Sequence, residues 1–324
     1  MDMPTLRDVY EARKTIAPYL PRTPLHFSAG LSELLEAQIY LKHDEYLPLG
    51  AFKARGGINL LAHLSQAERD RGFVTASTGN HGQSIARAGQ IFGARTVICV
   101  PEGANPLKVA AMRSLGAELV FHGQTYDAAR EHSEWLAEER GYHYVHPSNE
   151  PLLISGVATQ ALEIVEDLPQ VNTIIVPLGG GSAVAGTCIV AKAVDPNIRV
   201  IAVQSEAAPA GYLSWQQGQL VQAPMRTFAE GIATQGGYEL PQRIIRHRLD
   251  DFVLVSEDDI RRAIGLLVEK AHTLAEGAGA AATAAAVKLK ESLRGQTVAL
   301  VVSGANITLS QLSEALKVYQ SGPS

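Results

Sequence analysis

Three short segments of this chain bring together residue types that could do chemistry. Residues 49–57 place one lysine, Lys53, in a turn rich in glycine. Residues 77–82 combine small hydroxyl side chains with glycines, and residues 179–182 read Gly-Gly-Gly-Ser. These segments offer an amine, a cradle of N–H groups for a carboxylate and a second cradle for a phosphate.

The glycine run at 179–182 is the most specific of the three segments. It follows an apolar strand at 174–177 and precedes an apolar helix from Ala183, and such a junction directs N–H groups and the helix dipole at one point. The spacing is not that of a nucleoside-triphosphate loop, because no lysine precedes Thr187. It is not a dinucleotide fingerprint either, because Val184 replaces the third glycine. We predict a phosphate site, and the alternative is a tight turn.

Lys53 and the 77–82 segment are weaker signals by themselves. A lysine on a helix is normally solvated. The glycines around Lys53 let the backbone approach closely, and a reactive amine needs a partly desolvated site. The residues from Ser77 to His81 would bind a carboxylate at a helix start, or they form an ordinary helix cap. His81 alone could be a packed histidine.

Two segments near the end of the chain also lie at boundaries of predicted strands or helices. Ser303 follows an apolar strand, and crevices open at the carboxyl ends of parallel strands. The alternative for Ser303 is a turn. The segment 276–279 precedes an alanine-rich helix and could be only a cap with a flexible hinge.

Composition limits the class of protein. The 324 residues allow one large or two medium domains. Net charge is -5, which argues against nucleic acid or an anionic membrane as a partner. Cys99 and Cys188 lie in apolar runs, which predicts buried thiols and no disulfide or metal framework. The start shows no secretory leader pattern and no apolar run reaches the ~20 residues that span a bilayer, so we expect a cytoplasmic protein.

Apolar runs rich in β-branched residues alternate with segments of helical periodicity. We predict strands at 38–42, 72–76, 96–100, 118–121, 173–177, 199–204, 251–255 and 297–303. We predict helices at 28–35, 52–64, 81–92, 106–115, 125–140, 153–167, 183–194, 257–273 and 279–292. This alternation is typical of an α/β fold with mostly parallel, twisted sheets flanked by helices. The number of strands predicts two lobes: residues 72–147 as a small inserted domain, and residues 1–71 with 148–324 as a large one.

Nine short motifs, in order over nearly the whole chain, resemble one enzyme family. The motifs are Thr23-Pro24-Leu25, Phe52-Lys53-Ala54-Arg55-Gly56, Ser77-x-Gly79-Asn80-His81-Gly82-Gln83, Pro101-Glu102-Gly103-Ala104, His146-Pro147, Pro177-Leu178-Gly179-Gly180-Gly181, Ala229-Glu230-Gly231-Ile232-Ala233, Glu276-Gly277-Ala278-Gly279 and Ser303-Gly304-Ala305-Asn306. The chain resembles the fold-type II pyridoxal-phosphate (PLP) enzymes of the serine/threonine dehydratase family, which includes serine racemases.

The resemblance implies which residues hold the cofactor. Lys53 is similar to the lysine that carries PLP and later acts as the base, and Phe52 would pack against the ring. Asn80 would bind the hydroxyl of the pyridine ring, and Ser303 would face the ring nitrogen. The phosphate would be held by N–H groups of Gly179, Gly180, Gly181, Ser182 and Ala183.

The resemblance also implies a reaction. Ala54-Arg55 after Lys53, and His81 after Gly79-Asn80, match dehydratases and racemases rather than the relatives that make cysteine or threonine. We therefore expect an ammonia-lyase that converts L-threonine and L-serine into a 2-oxo acid and ammonia. The substrate carboxylate would be taken by Ser77, Thr78, Asn80 and His81.

Departures from the family pattern leave alternatives open. Leu49 and Ala51 remove two usual hydroxyls, and Val157 replaces a usual glutamine, so a dehydratase for another β-hydroxy amino acid is one alternative. Thr78 stands where racemases have a serine and dehydratases tend to have an alanine. A racemase with Lys53 and Thr78 acting on opposite faces is therefore the second alternative. A non-catalytic protein that binds PLP or an amino acid is the third.

Three further expectations concern metal binding, the absence of an effector-binding domain and the oligomeric state. The family's divalent-ion site would fall at 203–210, where Gln204 and Ala210 replace the usual acids and Glu206 is the nearby carboxylate, so we expect a weak metal site or none. The chain ends soon after Ser303, so we expect a short form without an effector-binding domain. The resemblance also implies a homodimer.

Overall fold

The computed structural model describes residues 2–104 and 106–322, apart from the side chain of Leu107. The strands are Leu25–Phe27 (β1), Gln38–His43 (β2), Phe73–Ala76 (β3), Thr96–Val100 (β4), Glu118–Phe121 (β5), His143–Tyr144 (β6), Thr173–Pro177 (β7), Arg199–Ser205 (β8), Asp251–Val255 (β9) and Thr297–Val302 (β10). The helices are Leu6–Ile16 (α1), Ala29–Leu35 (α2), Ala54–His63 (α3), Gln66–Arg71 (α4), Asn80–Phe92 (α5), Pro106–Ser114 (α6), Tyr126–Arg140 (α7), Pro151–Asp167 (α8), Ser182–Val194 (α9), Ala210–Gln217 (α10), Glu239–Ile245 (α11), Glu257–Ala271 (α12), Gly277–Lys288 (α13), Lys290–Leu293 (α14) and Leu309–Gln320 (α15). Two 3-10 turns lie at Asp44–Tyr46 and Glu230–Ile232.

The larger sheet has six strands in the order β1-β2-β10-β7-β8-β9. Every neighbouring pair is parallel except the edge pair β1 and β2. Alternate residues of β7 serve two cores: Ile174 and Val176 belong to a cluster that includes residues of α8 and α9, and Ile175 belongs to one that includes residues of α12 and α13. Burial on both faces is the reason why β7 is continuously apolar after Thr173.

The smaller sheet has four parallel strands in the order β5-β4-β3-β6. On one face Val74 and Cys99 pack with Ala129 of α7. On the other face Ile98 packs with Ala86 of α5 and Met112 of α6. Helices on both faces complete the α/β fold that the sequence predicts.

The two sheets are joined through helix packing. All strands of the smaller sheet lie within 72–147, and all strands of the larger sheet lie outside that range. However, α5 packs tightly on α3, where a side chain at Gly57 would overlap Ser84, and the Ser84 hydroxyl donates to the Lys53 carbonyl at 2.5 Å. The division into domains at 71/72 and 147/148 stays a prediction.

The elements agree with the sequence-based expectations, with some additions. Each predicted strand and helix has a counterpart within a few residues, although the last predicted helix is divided into α13 and α14. The predictions missed short elements, among them β1, β6 and the first helix, α1. Cys99 and Cys188 are both buried, and burial raises the pKa of each thiol to about 12. Over the described part of the chain, no helix combines the length and apolar character needed to cross a membrane.

Candidate active site

Lys53 lies at the N-cap position of α3, with its amine directed at the glycine loop. Its Nζ is 3.3 Å from Ser182 Oγ and 5.0 Å from the centre of the Phe52 ring. Removal of the ammonium from water lowers the pKa of Lys53 to about 8. At pH 7 about a tenth of the Lys53 amine is therefore neutral and nucleophilic, far more than for a solvated lysine.

The glycine loop that faces Lys53 tolerates no side chains. A Cβ at Gly179 would overlap the carbonyl oxygen of Gly231, and a Cβ at Gly180 would overlap Ser148 Oγ. Gly181 has a φ of 91° and ends the loop as the N-cap of α9. Both the close approach and the positive φ require glycine.

The same loop offers free N–H donors. Helix α9 has no side-chain cap. Within residues 2–104 and 106–322, no acceptor takes the N–H groups of Gly180, Gly181, Ser182 or Ala183. A helix N-terminus with open N–H groups favours a phosphate through both hydrogen bonds and the helix dipole. An amine and a phosphate cradle therefore meet at one place.

The 77–82 segment forms a second cradle, and Ser77 organises it. Ser77 Oγ accepts hydrogen bonds from the N–H groups of Gly79 at 3.2 Å and Gly82 at 2.8 Å. The N–H groups of Asn80 and His81, in the first turn of α5, have no acceptor among the residues that the structure describes. These two N–H groups suit a carboxylate.

His81 is a neutral imidazole in this structure. Burial, together with the positive charges of Lys53 and His146, lowers its pKa to about 3. His81 Nε2 lies 3.1 Å from Thr75 Oγ1, and that hydroxyl donates its own hydrogen to the Val145 carbonyl at 2.8 Å. Nε2 therefore carries the proton and Nδ1 can only accept. The part of His81 that can donate to a carboxylate is its backbone N–H, not its ring.

Thr78 and Ser303 have hydroxyls that no described residue engages. Thr78 is partly exposed between Ser77 and Gly79. Ser303 directly follows β10, and its carbonyl accepts the Phe52 N–H at 3.1 Å. This backbone bond places Ser303 next to the residue that precedes Lys53. Both hydroxyls remain available to a ligand.

Sequence reasoning did not assign three residues near the site, which are Glu276, Asn306 and Lys108. Asn80 donates from Nδ2 to Glu276 Oε1 at 2.8 Å, and Asn306 Nδ2 donates to Asn80 Oδ1 at 2.8 Å. Lys108 of α6 forms an ion pair with Glu230, and its Nζ lies close to Gly79. The family-like motifs include Glu276 and Asn306, but a contact across 196 or 226 residues leaves no local signal.

The predicted divalent-ion region does not offer a metal-binding donor set. Gln204 is buried, with Nε2 donating to Thr234 Oγ1 at 3.2 Å and Oε1 accepting the Tyr212 N–H at 3.1 Å. Glu206 is paired with Lys288 at 3.3 Å. No group of three or more His, Cys, Asp or Glu side chains within the described residues is arranged to hold a metal ion.

Comparison with known proteins gives the family. The model of the family described as pyridoxal-phosphate dependent enzyme matches residues 16–304. The chain belongs to this family of pyridoxal-phosphate-dependent enzymes. It is 39% identical over 315 residues to the L-threonine ammonia-lyase of Thermotoga maritima, covering 97% of this chain and 78% of that protein. It is 35% identical to the catabolic L-threonine dehydratase of Staphylococcus aureus, covering 97% and 92% of the two chains.

Solved structures of related PLP enzymes share the fold. The processed form of threonine deaminase isoform 2 from Solanum lycopersicum superposes with a TM-score of 0.91 at 30% identity, covering 98% of this chain and 94% of that one. Maize serine racemase gives a TM-score of 0.92 at 28% identity, covering 99% of each chain. The sequence-based assignment to a fold-type II PLP family is confirmed.

The cofactor of this PLP enzyme fits the residues present. Pyridoxal phosphate carries an aldehyde and a phosphate, and the structure places the Lys53 amine beside the open N–H groups that start α9. A Cβ at any position from 179 to 181 would overlap a neighbouring atom. The glycine loop is therefore shaped for a ligand that contacts backbone.

Proposed function

We propose that this enzyme is a PLP-dependent dehydratase that removes the β-hydroxyl of L-threonine and L-serine. The products would be 2-oxobutanoate or pyruvate, and ammonia. The observation that carries the proposal is Lys53 Nζ at 3.3 Å from Ser182 Oγ, where α9 begins, in a chain 39% identical to an L-threonine ammonia-lyase. The resemblance to dehydratases at Ala54-Arg55 and His81 supports the same reaction.

Each residue of the site has a proposed task. When bound, pyridoxal phosphate supplies an aldehyde that links to an amine and a ring that delocalises negative charge from the α-carbon. The N–H groups of Gly179, Gly180, Gly181, Ser182 and Ala183 hold the phosphate, Phe52 packs against the ring and Ser303 faces the ring nitrogen.

The substrate side of the site follows from the second cradle. The N–H groups of Asn80 and His81, with Ser77 ordering the loop, bind the substrate carboxylate. This anchors the α-carbon so that the neutral Lys53 Nζ can take its proton as general base. Because Ser303 is a neutral hydroxyl rather than a carboxylate, it does not hold a proton on the ring nitrogen.

Racemisation is a second candidate, and Thr78 is the observation that favours it. Its hydroxyl has no partner within the described residues, and Thr78 stands between Ser77 and Gly79 in the carboxylate cradle. Together with Lys53 on the opposite face, it could return a proton to the α-carbon.

We also infer a homodimer, a cytoplasmic location, and a large domain of 1–71 and 148–324 with a small one of 72–147.

One time course with the PLP-loaded protein tests these functions. L-Threonine, L-serine and D-serine are offered separately, and both the 2-oxo acid and the opposite enantiomer are quantified, with Lys53→Ala as the control. Oxo acid from L-threonine that disappears in Lys53→Ala supports the dehydratase. Enantiomer without oxo acid, lost in Thr78→Ala, supports the racemase. Neither product from PLP-loaded protein would contradict both.

A further inference from the structure

A chain of side-chain hydrogen bonds runs along the edge of the site from a backbone carbonyl to a buried carboxyl. Asn306 Nδ2 donates to the Leu49 carbonyl at 2.9 Å and to Asn80 Oδ1 at 2.8 Å. Asn80 Nδ2 in turn donates to Glu276 Oε1 at 2.8 Å. We call the three side chains Asn306, Asn80 and Glu276 the amide relay.

The two ends of the amide relay fix its direction. A backbone carbonyl such as that of Leu49 can only accept, so Asn306 must turn its NH₂ group toward it. The same NH₂ group also donates to Asn80, so Asn80 must accept with Oδ1. A flipped Asn80 would place two NH₂ groups against each other at Asn306 and two oxygens against each other at Glu276. Asn80 is therefore held in one of its two amide orientations.

The position of Glu276 allows its carboxyl to accept the hydrogen bond from Asn80 Nδ2. It occupies the N-cap position of α13, yet its side chain does not cap that helix and reaches Asn80 instead. Gly304 makes room for it, since a Cβ at Gly304 would lie 2.6 Å from Oε1. Burial raises the pKa of Glu276, and the charge of Lys108 and the bond from Asn80 oppose that shift. Oε1 can accept whether or not Oε2 carries a proton.

The relay leaves one donor for a ligand. Of the two Nδ2 hydrogens of Asn80, one is bound to Glu276, and the other has no acceptor in the described part of the chain. We propose that Glu276 and Asn306 are positioning residues that hold Asn80 as a hydrogen-bond donor toward an oxygen of the PLP ring. This rests on the proposed binding of PLP and on the ring contact that the family resemblance implies for Asn80, but not on which amino acid reacts.

The relay is tested by PLP binding to the apoprotein, followed by tryptophan fluorescence and visible absorbance. Asn306→Ala, Asn306→Asp and Glu276→Leu each remove the fixed orientation, and we expect the dissociation constant of PLP to rise about tenfold, the worth of one hydrogen bond. Asn306→Asp should be the weakest binder, because it sets an acceptor against Asn80 Oδ1. A shifted absorbance maximum of the bound cofactor should accompany the loss.

A conservative variant separates positioning from charge and from folding. Glu276→Gln keeps an acceptor at Oε1, so we expect its PLP affinity within about twofold of the parent. Thermal unfolding of each apoprotein checks that the fold is intact. Folded Asn306→Ala and Glu276→Leu variants with unchanged PLP affinity and spectrum would overturn the proposal, as would a Glu276→Gln variant as weak as Glu276→Leu. If PLP binding behaves as expected but L-threonine is not deaminated, the proposed function fails and the relay stands.

Discussion

Arg55, two residues after Lys53, forms an ion pair with Glu163 in the interior through two hydrogen bonds. Arg55 Nη1 lies 2.7 Å from Glu163 Oε1 and Nη2 lies 2.9 Å from Oε2. Arg55 also binds Asp44 Oδ1 at 2.8 Å, and Lys42 Nζ binds Glu163 Oε2 at 2.6 Å. All four side chains are buried, with two positive and two negative charges. The cluster fixes α3, and hence Lys53, to α8 and to the end of β2.

Removal of Arg55 should destabilise the protein strongly. Arg55→Met leaves two buried carboxylates facing a single lysine, and we expect the free energy of unfolding to fall by about 3–5 kcal/mol, the usual cost of an uncompensated buried charge. Denaturant unfolding of the apoprotein measures it. The double variant Arg55→Met/Asp44→Asn restores the balance of charge and should recover a large part of the loss. Equal stability of the single and double variants would contradict this account.

Stability should also fall in acid because of Glu163. Burial alone would raise the pKa of Glu163, but the hydrogen bonds and charges of Arg55 and Lys42 hold it at about 2, below the unfolded value of about 4.3. A carboxyl with a depressed folded pKa stabilises the fold above its unfolded pKa, and this contribution is lost as the pH falls through the folded pKa. We expect about 3 kcal/mol to disappear between about pH 5 and pH 2.

The Glu163 contribution can be measured as a pH series. Denaturant unfolding is followed at several pH values between 5 and 2.5 for the parent and for Glu163→Gln. The parent curve should be the steeper of the two, because the variant has no carboxyl to titrate at this position. Parallel curves would show that Glu163 does not contribute to acid unfolding.

The Lys53 amine should make attachment of the cofactor depend on pH. Because the pKa of Lys53 is lowered to about 8, the neutral fraction grows about tenfold between pH 7 and pH 9 and then levels off. The rate at which apoprotein develops the visible absorbance of lysine-bound PLP should follow that curve in stopped-flow measurements. Lys53→Ala supplies the background from surface lysines. A rate that keeps climbing tenfold per pH unit beyond pH 9 would indicate an ordinary, solvated lysine instead.

The sequence predicts the strands and the glycine loop of the site better than the side-chain contacts that hold them in place. Strands such as β7 and β10 are readable because both faces are buried and every residue after the first threonine is apolar. The glycine run is readable because a strand, three glycines and a helix follow one another. The Arg55–Glu163 and Asn80–Glu276 contacts join residues 108 and 196 positions apart, and no local pattern pairs them.

Short elements escaped prediction for a different reason. The strand β6 has two residues, too few for any alternation of apolar and polar side chains to show. Helix α1 does carry a local signal, since Thr5 and Asp8 form a capping box at its start and Val9, Ala12 and Ile16 form its buried face. The contact between the His81 ring and Thr75 is set by tertiary packing, and no local pattern in the sequence predicts it.

The glycine loop gives the most local test of the phosphate cradle. A Cβ at Gly180 would overlap Ser148 Oγ, so Gly180→Ala must shift the loop and pull N–H groups away from the phosphate. Losing one charge-assisted hydrogen bond weakens PLP binding by about 10- to 100-fold. Gly236→Ala is the matched control, because its Cβ would be 3.9 Å from the nearest atom, Gln222 Cγ.

A second change shows whether the overlap itself is responsible. In Gly180→Ala/Ser148→Ala the hydroxyl that blocks the new methyl group is gone, so the loop can return toward its original path. PLP affinity, titrated by absorbance on the apoprotein, should recover most of the loss, while Ser148→Ala alone should bind nearly as the parent does. If the double variant binds PLP as weakly as Gly180→Ala, the added methyl group itself obstructs the phosphate. The cradle would then lie on the side of Gly180 that faces Ser148 rather than at the N–H groups that start α9.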